Sequence, residues 1–257
     1  MSLLKIEKSL PDIQTQKIKY TFTFPTCNSP ISKTNIISLF KSLINIKENK
    51  TDKFIIATNN NITFYVTHIK SFDEYLKSQS QPINICHIYI YIHILKCIYD
   101  LSKQLDYFIN QERKTPYQIN PDNIWVIETT NTNTNTLPIF IYICQDPENE
   151  IKTINKKTQQ ITFNTLPFLL FGSSSSVSPE LKNIKNIPAS IHYKTVYYSL
   201  GLFIQYFINV TTPTPTSNEN NNNKYSELEI KYLKSLNNFL EKSMNSTNPK
   251  ERKIEWI

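Results

Sequence analysis

The stretch PYQINPDNIWV, residues 116–126, stands between a long helical pattern and two predicted strands. Upstream, apolar residues are so dense over 83–109 that the predicted helix must be largely buried. Downstream, residues 124–127 and 139–144 predict two strands, and the Asn/Thr-rich tract at 129–136 between them is typical of an exposed loop. We therefore expect a hairpin with an extended loop directly after the quoted stretch.

The part of the chain before this framework combines strand and helix patterns. Residues 18–24, 54–58 and 62–66 have the composition and alternation of strands, and a helical pattern covers 32–47. This part is therefore predicted to be a small α+β unit.

The last third of the chain is predicted to be helical. Residues 196–210 carry no charge, but this apolar run is too short to span a membrane comfortably and indicates a buried core helix. An amphipathic helix is expected over 225–244, and the Pro/Asn tract at 211–223 between the two helices predicts an exposed loop.

The composition favours a folded chain and limits what its charge can mean. The 257 residues are 39% hydrophobic and 12% aromatic, which is in the globular range. The net charge is +7, but only Arg113 and Arg252 are arginines, and recognition of phosphate and base edges relies mainly on Arg. We interpret the charge as a solvated Lys surface and do not expect a nucleic-acid partner.

The four cysteines and the first residues bear on the location of the protein. Cys27, Cys86, Cys97 and Cys144 form no CxxC pair, so neither a zinc site nor a disulfide framework is predicted. Residues 1–14 alternate Lys and Glu with apolar residues and lack the apolar core of a signal peptide. We expect an intracellular protein, cytoplasmic or nuclear, with no membrane partner.

Taken in order, several motifs resemble the C-terminal lobe of a protein kinase. They cover residues 64–254 and are the quoted 116–126, PIFIYICQD at 138–146, VSPE at 177–180, YYSLGLFIQYF at 197–207 and NPKERKI at 248–254. The segment 62–76 is similar to the fifth strand, hinge and following helix of that family, and the helix at 32–47 takes the position of its regulatory helix.

This resemblance implies an α+β, protein kinase-like bilobed fold. Residues 1–70 would form a small, reduced β-rich N-lobe, and residues 71–257 a mainly helical C-lobe with low-complexity loop insertions at 129–136 and 211–223. Only two glycines are present, the first at Gly172, so a Gly-rich loop that covers nucleotide phosphates is not expected. Lys17 and Lys19 lack the sequence context of the family's nucleotide-binding lysine and are interpreted as exposed strand residues.

The family's HRDxKPxN catalytic loop matches residues 116–123. Gln118 then stands at the catalytic Asp and Asn120 at the loop Lys, and neither amide can accept a proton as a base or offer a cation to a phosphate. Asn123 matches the family's second metal ligand. Phosphoryl transfer needs these groups together, so the loop is predicted to be degenerate.

Two registers align the family's DFG motif, with its metal-binding Asp, to this chain. The simplest alignment places Gln145 there, whereas a slip of one residue offers Asp146. An ordinary turn carboxylate before Pro147 is the favoured interpretation of Asp146. Asn123 and Asp146 are predicted to bind a nucleotide cofactor, ATP with Mg²⁺, only if nucleotide binding is retained.

Other positions of the resemblance concern folding. Arg252 falls where the family places an Arg that pairs with the Glu of its APE-like motif, here Glu180, which implies a largely buried bidentate ion pair. Gly201 lies in the SLG of the central helix. Val196 stands where the family keeps an Asp bonded to the catalytic loop, which is a further loss.

Three functions are weighed on these grounds. The first is a catalytically inactive pseudokinase, needing no cofactor, that acts as a signalling scaffold or allosteric regulator by binding a protein such as an active kinase or its substrate. The second is an atypical serine/threonine-type protein kinase that keeps ATP binding and weak phosphotransfer. The third is a basic nucleic-acid-binding protein.

Overall fold

The computed structural model describes ten segments of the chain, and the account below refers to them alone. They are residues 4–12, 17–24, 30–45, 55–57, 61–79, 87–128, 137–166, 177–211, 227–245 and 248–254. The loop tract at 129–136, nearly all of 211–223, Gly172, Cys27 and Cys86 lie outside these segments.

An antiparallel four-stranded sheet with one helix forms the first part of the chain. Its strands are ordered β1-β2-β4-β3, and its elements are β1 (Lys5–Lys8), β2 (Ile18–Thr23), α1 (Pro30–Asn45), β3 (Ile55–Ala57) and β4 (Asn61–Val66). Residues alternate between buried and partly exposed along β4, so one face of the sheet packs on the core. The predicted strands and the predicted helix are confirmed here, with ends that differ by at most two residues.

Strand β1 was not predicted. All four of its residues are exposed, and it lies at the edge of the sheet, where Lys5 and Glu7 form an ion pair at 2.7 Å. A charged edge strand discourages pairing with other chains, and it carries no apolar alternation by which a strand could be predicted.

The rest of the chain alternates short strands with helices. In order these are β5 (His68–Ser71), α2 (Phe72–Gln79), α3 (His87–Asp106) with a π-turn (Tyr107–Gln111), β6 (Lys114–Pro116), a 3₁₀ turn (Pro121–Asn123), β7 (Ile124–Glu128), β8 (Ile139–Tyr142), α4 (Pro147–Glu150), β9 (Ile151–Thr153), β10 (Gln160–Phe163), α5 (Pro179–Lys182), β11 (Ala189–His192), α6 (Thr195–Thr211), α7 (Glu227–Ser243) and a 3₁₀ turn (Pro249–Glu251).

The strands of this second part form three small antiparallel sheets. They are the three-stranded β5-β7-β8 and the two-stranded pairs β6-β9 and β10-β11. The predicted hairpin is confirmed, because Ile124 of β7 pairs with Tyr142 of β8 and Ile127 with Ile139. The described chain thus combines helices with small antiparallel sheets, as expected of an α+β protein.

Polar side chains of α3 hold the outer edge of strand β8. The buried Asp100 carboxylate accepts from the Phe140 N–H at 3.0 Å. The Gln104 amide both accepts from the Tyr142 N–H and donates to its carbonyl, each at 2.8 Å. These bonds satisfy backbone groups that a third strand would otherwise pair, and they join the long helix to the hairpin.

Helix α6 is the buried centre of the helical part. Nine of its seventeen residues are buried, and Phe203 and Phe207 pack on the ring of Phe72 at 4.9 and 5.0 Å between centroids. The interpretation of 196–210 as a buried core helix is confirmed. Among the described residues, no helix combines the length and apolar character needed to cross a membrane.

Gly201 lies where α6 approaches the end of α7 most closely, which leads to a stability prediction. A Cβ at this position would lie 2.6 Å from the Ser243 Oγ and closer still to the Met244 Cγ. We expect Gly201→Ala to lower the free energy of unfolding by about 1–3 kcal/mol through overpacking. Urea denaturation measures this, with Gln205→Ala on the exposed side of the same helix as the unchanged control. Equal stability of the two variants would contradict the close packing.

Candidate functional site

The loop at 116–123 is held between a β-ribbon and the central helix. Strand β6 at its start pairs with β9, and the Tyr117 N–H donates to the Glu150 carbonyl at 3.2 Å. On the other side, the Ser199 Oγ of α6 accepts from the Ile119 N–H at 2.7 Å and lies 3.3 Å from its carbonyl. The loop backbone is therefore anchored from both sides.

The resemblance implied a hydrogen bond from a side chain at position 196 to the loop. Ser199 makes this contact instead. Val196 is fully buried and apolar, so it cannot bond to the loop. Ser199 lies three residues later on the same helix face, within reach of the loop. The loop is therefore anchored by Ser199 and not by a side chain at position 196.

Gln118 and Asn120 have different surroundings within the loop. Gln118 is 6% exposed, and its Oε1 has no hydrogen-bond partner among the described residues. The Asn120 side chain accepts from the Asp122 N–H at 3.2 Å and so caps the 3₁₀ turn. Asn120 thus stabilises the local turn, and Gln118 presents an uncharged amide, which cannot act as a base.

A carboxylate that sequence reasoning missed lies beside this loop. Glu150 accepts hydrogen bonds from the Asn123 Nδ2, the Tyr142 Oη at 3.1 Å, the Gln145 N–H at 3.1 Å and the Asp146 N–H at 2.9 Å. Burial raises the pKa of Glu150, an effect that these hydrogen bonds partly oppose. The five groups together are called the Glu150 cluster below.

The helical turn α4 explains how Glu150 comes to face the loop. Asp146 is its N-cap and Pro147 its first residue, so the chain makes a single helical turn before β9. The Asp-Pro pair at 146–147 is a helix-start signal in the sequence, and it could have predicted this turn. It could not have predicted that the end of the turn meets Asn123.

The side chains of Asp146 and Gln145 make no direct hydrogen bond to Asn123 among the described residues, and their N–H groups meet the Asn123 amide only through the Glu150 carboxylate. The Asp146 carboxylate accepts from the Asn149 N–H at 3.2 Å and from the Asn149 Nδ2 at 2.7 Å. The Gln145 side chain is exposed, and only its N–H meets the Glu150 cluster. In the described segments no group of three or more His, Cys, Asp or Glu side chains is arranged to hold a metal ion.

Helix α1 closes the site from a third direction. The Asn35 Nδ2, on a residue that is 2% exposed, donates to the carbonyls of Pro147 and Ile151 at 2.8 and 3.1 Å. The Ser38 Oγ is 2.9 Å from the Glu112 carboxylate, which Lys41 also contacts at 3.0 Å. The helix is thus joined to α4 and to the turn after α3.

A cleft of about 530 Å³ lies between β1 and β2 on one side and β5 and β7 on the other. The Trp125 ring reaches it from β7 and packs edge-to-face on the fully buried Phe22, with centroids 5.0 Å apart. The Tyr20 Oη of β2 is 3.0 Å from the His68 Nδ1 of β5, a bond across the cleft. Aromatic side chains therefore line this cleft, as Tyr20 and Trp125 do, or pack directly behind it, as Phe22 does.

Glu180 and Arg252 lie far apart in the sequence, but their side chains contact each other in the fold. The Arg252 Nη2 contacts the Glu180 Oε1, the Arg252 Nε donates to the Asn245 carbonyl at 2.6 Å, and the guanidinium lies 4.9 Å from the centroid of the Tyr198 ring. Arg252 is fully buried, whereas the Glu180 side chain is 18% exposed. The pair is not bidentate as the resemblance implied, because Asn245 and Tyr198 hold the guanidinium in an orientation that leaves the Glu180 Oε2 and the Arg252 Nη1 without partners among the described residues.

Comparison with models of known protein families finds no match for this chain, and comparison with curated proteins finds none either.

Proposed function

We propose that this chain is a protein kinase-like protein without phosphotransfer activity, a pseudokinase, that acts by binding another protein. The proposal rests on the order of motifs in the sequence together with the pairing of β6 with β9 around the loop 116–123. In this proposal residues 1–70 are the reduced N-lobe and residues 71–257 the helical C-lobe.

One observation supports the proposed absence of phosphotransfer activity. The carboxylate of Glu150, which binds the Asn123 amide, and the carboxylate of Asp146 already accept hydrogen bonds from neighbouring donors. A metal ion that bridges phosphates requires carboxylate oxygens, and these would have to give up protein donors to bind it. Gln118 at the position of the base has no charge at any pH.

The cleft between the sheet and β7 is lined, among the described residues, by no side chain of the loop 116–123. No nucleotide or metal cofactor is needed for the proposed function.

The hydrogen bonds made by helix α1 favour a role of the protein as a scaffold. Asn35 and Ser38 tie this helix to α4 and to Glu112, so its position does not depend on a bound nucleotide. A surface that stays in one conformation suits recognition of a protein partner, because little ordering is required on binding. The partner class in this proposal is an active kinase or a kinase substrate.

Thermal unfolding in the presence of a nucleotide tests the proposed absence of nucleotide binding and phosphotransfer. A ligand that binds the native state alone raises the melting temperature, by an amount that grows with its concentration over Kd. We expect no rise with millimolar ATP and either Mg²⁺ or Mn²⁺, and no transfer of radiolabelled phosphate to a general protein substrate. An active protein kinase assayed in parallel is the positive control. A rise in melting temperature would favour the atypical kinase with retained ATP binding, and phosphate transfer would overturn the proposal.

A further inference from the structure

Strand β11 has a hydrogen-bonding partner on one side only. It forms a two-stranded antiparallel sheet with β10, in which Ser190 lies opposite Thr162. Directly beyond the strand, the Tyr193 N–H donates to the Gln159 carbonyl at 3.1 Å. In an antiparallel pair, residues that bond to the partner strand alternate with residues whose N–H and carbonyl point away from it. Counting back from Tyr193, the backbone groups of His192 and Ser190 are those that point away from β10.

These outward backbone groups are unpaired in the described part of the chain. Neither the N–H nor the carbonyl of Ser190 or His192 makes a hydrogen bond to a described residue. Ser190 is exposed and His192 is partly exposed. The Ser190 Oγ is 3.0 Å from the Thr162 Oγ1 on the face of the ribbon, so this side chain does not satisfy the edge. A row of unpaired backbone groups is a template on which another strand can form.

The composition of β11 also differs from that of the charged edge strand β1. Three of the four residues of β1 are charged, whereas the ASIH of β11 contains no Lys, Arg, Asp, Glu or Pro. Pro188 lies directly before β11 and has no N–H to donate, so the edge that is available for pairing begins at Ser190. Two residues of an added strand can therefore bond to it.

The surroundings of this edge are basic. Lys194 follows the strand, and its Nζ donates to the carbonyl of the exposed Lys250 at 2.8 Å, which brings the two lysines together. Burial lowers the pKa of the His192 imidazole, and the positive charges of Lys194 and Lys250 lower it further. The sequence contains no Asp or Glu over residues 181–218. A segment that pairs with this edge is therefore favoured if it is acidic.

The acidic residues nearest to these lysines in the sequence have other contacts. Glu180 forms its ion pair with Arg252, and the Glu251 carboxylate accepts from the Asn248 Nδ2 at 2.8 Å. A second copy of this chain would bring the same lysines to the same edge, and the repulsion of like charges opposes such a dimer. The charge of the edge thus favours a different chain as its partner.

We propose that β11 binds an extended, acidic peptide segment of a partner protein by adding it as a further strand. Two residues of the segment exchange hydrogen bonds with the outward backbone groups of Ser190 and His192. An acidic residue next to them lies beside Lys194 and Lys250. Main-chain hydrogen bonds then hold the segment, and its charge provides the selectivity. As the surface used in the protein binding proposed above, this inference rests on that proposed function.

Three peptides with blocked ends test the inference, by titration in ¹H–¹⁵N correlation spectra of the full chain. The first is EETVTVTEE, whose acidic ends reach Lys194 in either strand direction. The second has Lys in place of each Glu, and the third is the first with its five central amides N-methylated. We expect saturable binding of the first with shift changes over residues 187–194, about tenfold or more weaker binding of the second, and no binding of the third. Absence of saturable binding of the acidic peptide, or equal binding of either of the other two, would overturn the proposal.

Two proline variants locate the binding. Ser190→Pro removes an N–H that points away from β10, so the hydrogen bonds between the two strands are kept while one outward donor is lost. Thr162→Pro removes the corresponding N–H on the opposite edge of the ribbon and is the matched control. We expect Ser190→Pro to weaken binding of the acidic peptide by about tenfold and Thr162→Pro to leave it unchanged. Equal binding by both variants would place the peptide elsewhere and overturn the proposal, and the N-methylated peptide decides the question if Ser190→Pro does not fold.

The outcome of these titrations is distinguishable from that of the nucleotide and phosphotransfer measurements. If the acidic peptide does not bind, β11 is not the binding surface, whereas the absence of phosphotransfer is unaffected. If phosphate is transferred, the proposed function is overturned, whereas peptide binding at β11 is unaffected.

Discussion

Replacing Glu180 with alanine is expected to lower the free energy of unfolding by about 3–5 kcal/mol, because it leaves the charge of Arg252 buried without its counter-ion. Arg252 is fully buried, and its remaining contacts are the Asn245 carbonyl and the Tyr198 ring. Neither the carbonyl nor the ring neutralises the full positive charge of the guanidinium. In a chain of this size such a loss lowers the melting temperature by on the order of 10 °C.

The controls for this prediction separate a buried pair from an exposed one. Glu7→Ala removes the fully exposed partner of Lys5 and should leave the melting temperature unchanged. The double variant Glu180→Leu with Arg252→Met should be less destabilised than Glu180→Ala, because no charge is then left stranded. If Glu180→Ala melted like the wild type, the ion pair would not contribute to stability.

Glu150→Ala is expected to have the next largest effect, a loss of about 2–4 kcal/mol in the free energy of unfolding. It removes the common acceptor of the Asn123 amide, the Tyr142 hydroxyl and two backbone N–H groups. A buried donor without an acceptor costs about 1–3 kcal/mol, and two of these four donors can reach solvent in part. Urea denaturation at pH 7 measures the loss, with Glu148→Ala on the same short helix as the matched control.

The difference in stability between the wild type and Glu150→Ala is also expected to depend on pH. Because burial raises the pKa of Glu150 above the value of 4.5 that it has when unfolded, the folded state takes up the proton first as pH falls. The stability that this group contributes is complete below its unfolded pKa and is lost as pH rises through the folded pKa. The difference between wild type and Glu150→Ala should therefore grow as pH falls from 7 towards 4.5. A constant difference over this range would place the carboxylate in a more exposed environment.

The long elements could be predicted because burial of one face leaves a period in the sequence. Helices α1 and α7 and strands β2, β4, β7 and β8 were expected from such a pattern, and helices α3 and α6 were expected from continuous apolar residues, each within a few residues of its ends. Strands β5, β6, β9, β10 and β11 are three or four residues long and, unlike β3 and β8 of similar length, contain no continuous apolar run. They exist because neighbouring strands supply their hydrogen bonds.

At the candidate site, too, some properties could be predicted from the sequence and others depend on tertiary contacts. That Gln118 is neutral and that no glycine precedes Gly172 can be learned from residue identity, since charge and backbone freedom belong to the residue itself. That Glu150 bonds to Asn123, that Ser199 takes the place expected of position 196, and that Arg252 contacts Glu180 through one nitrogen depend on distances across the fold. Sequence separation says nothing of such distances, because the packing of α4, α6 and α5 against the loop and the chain end sets them.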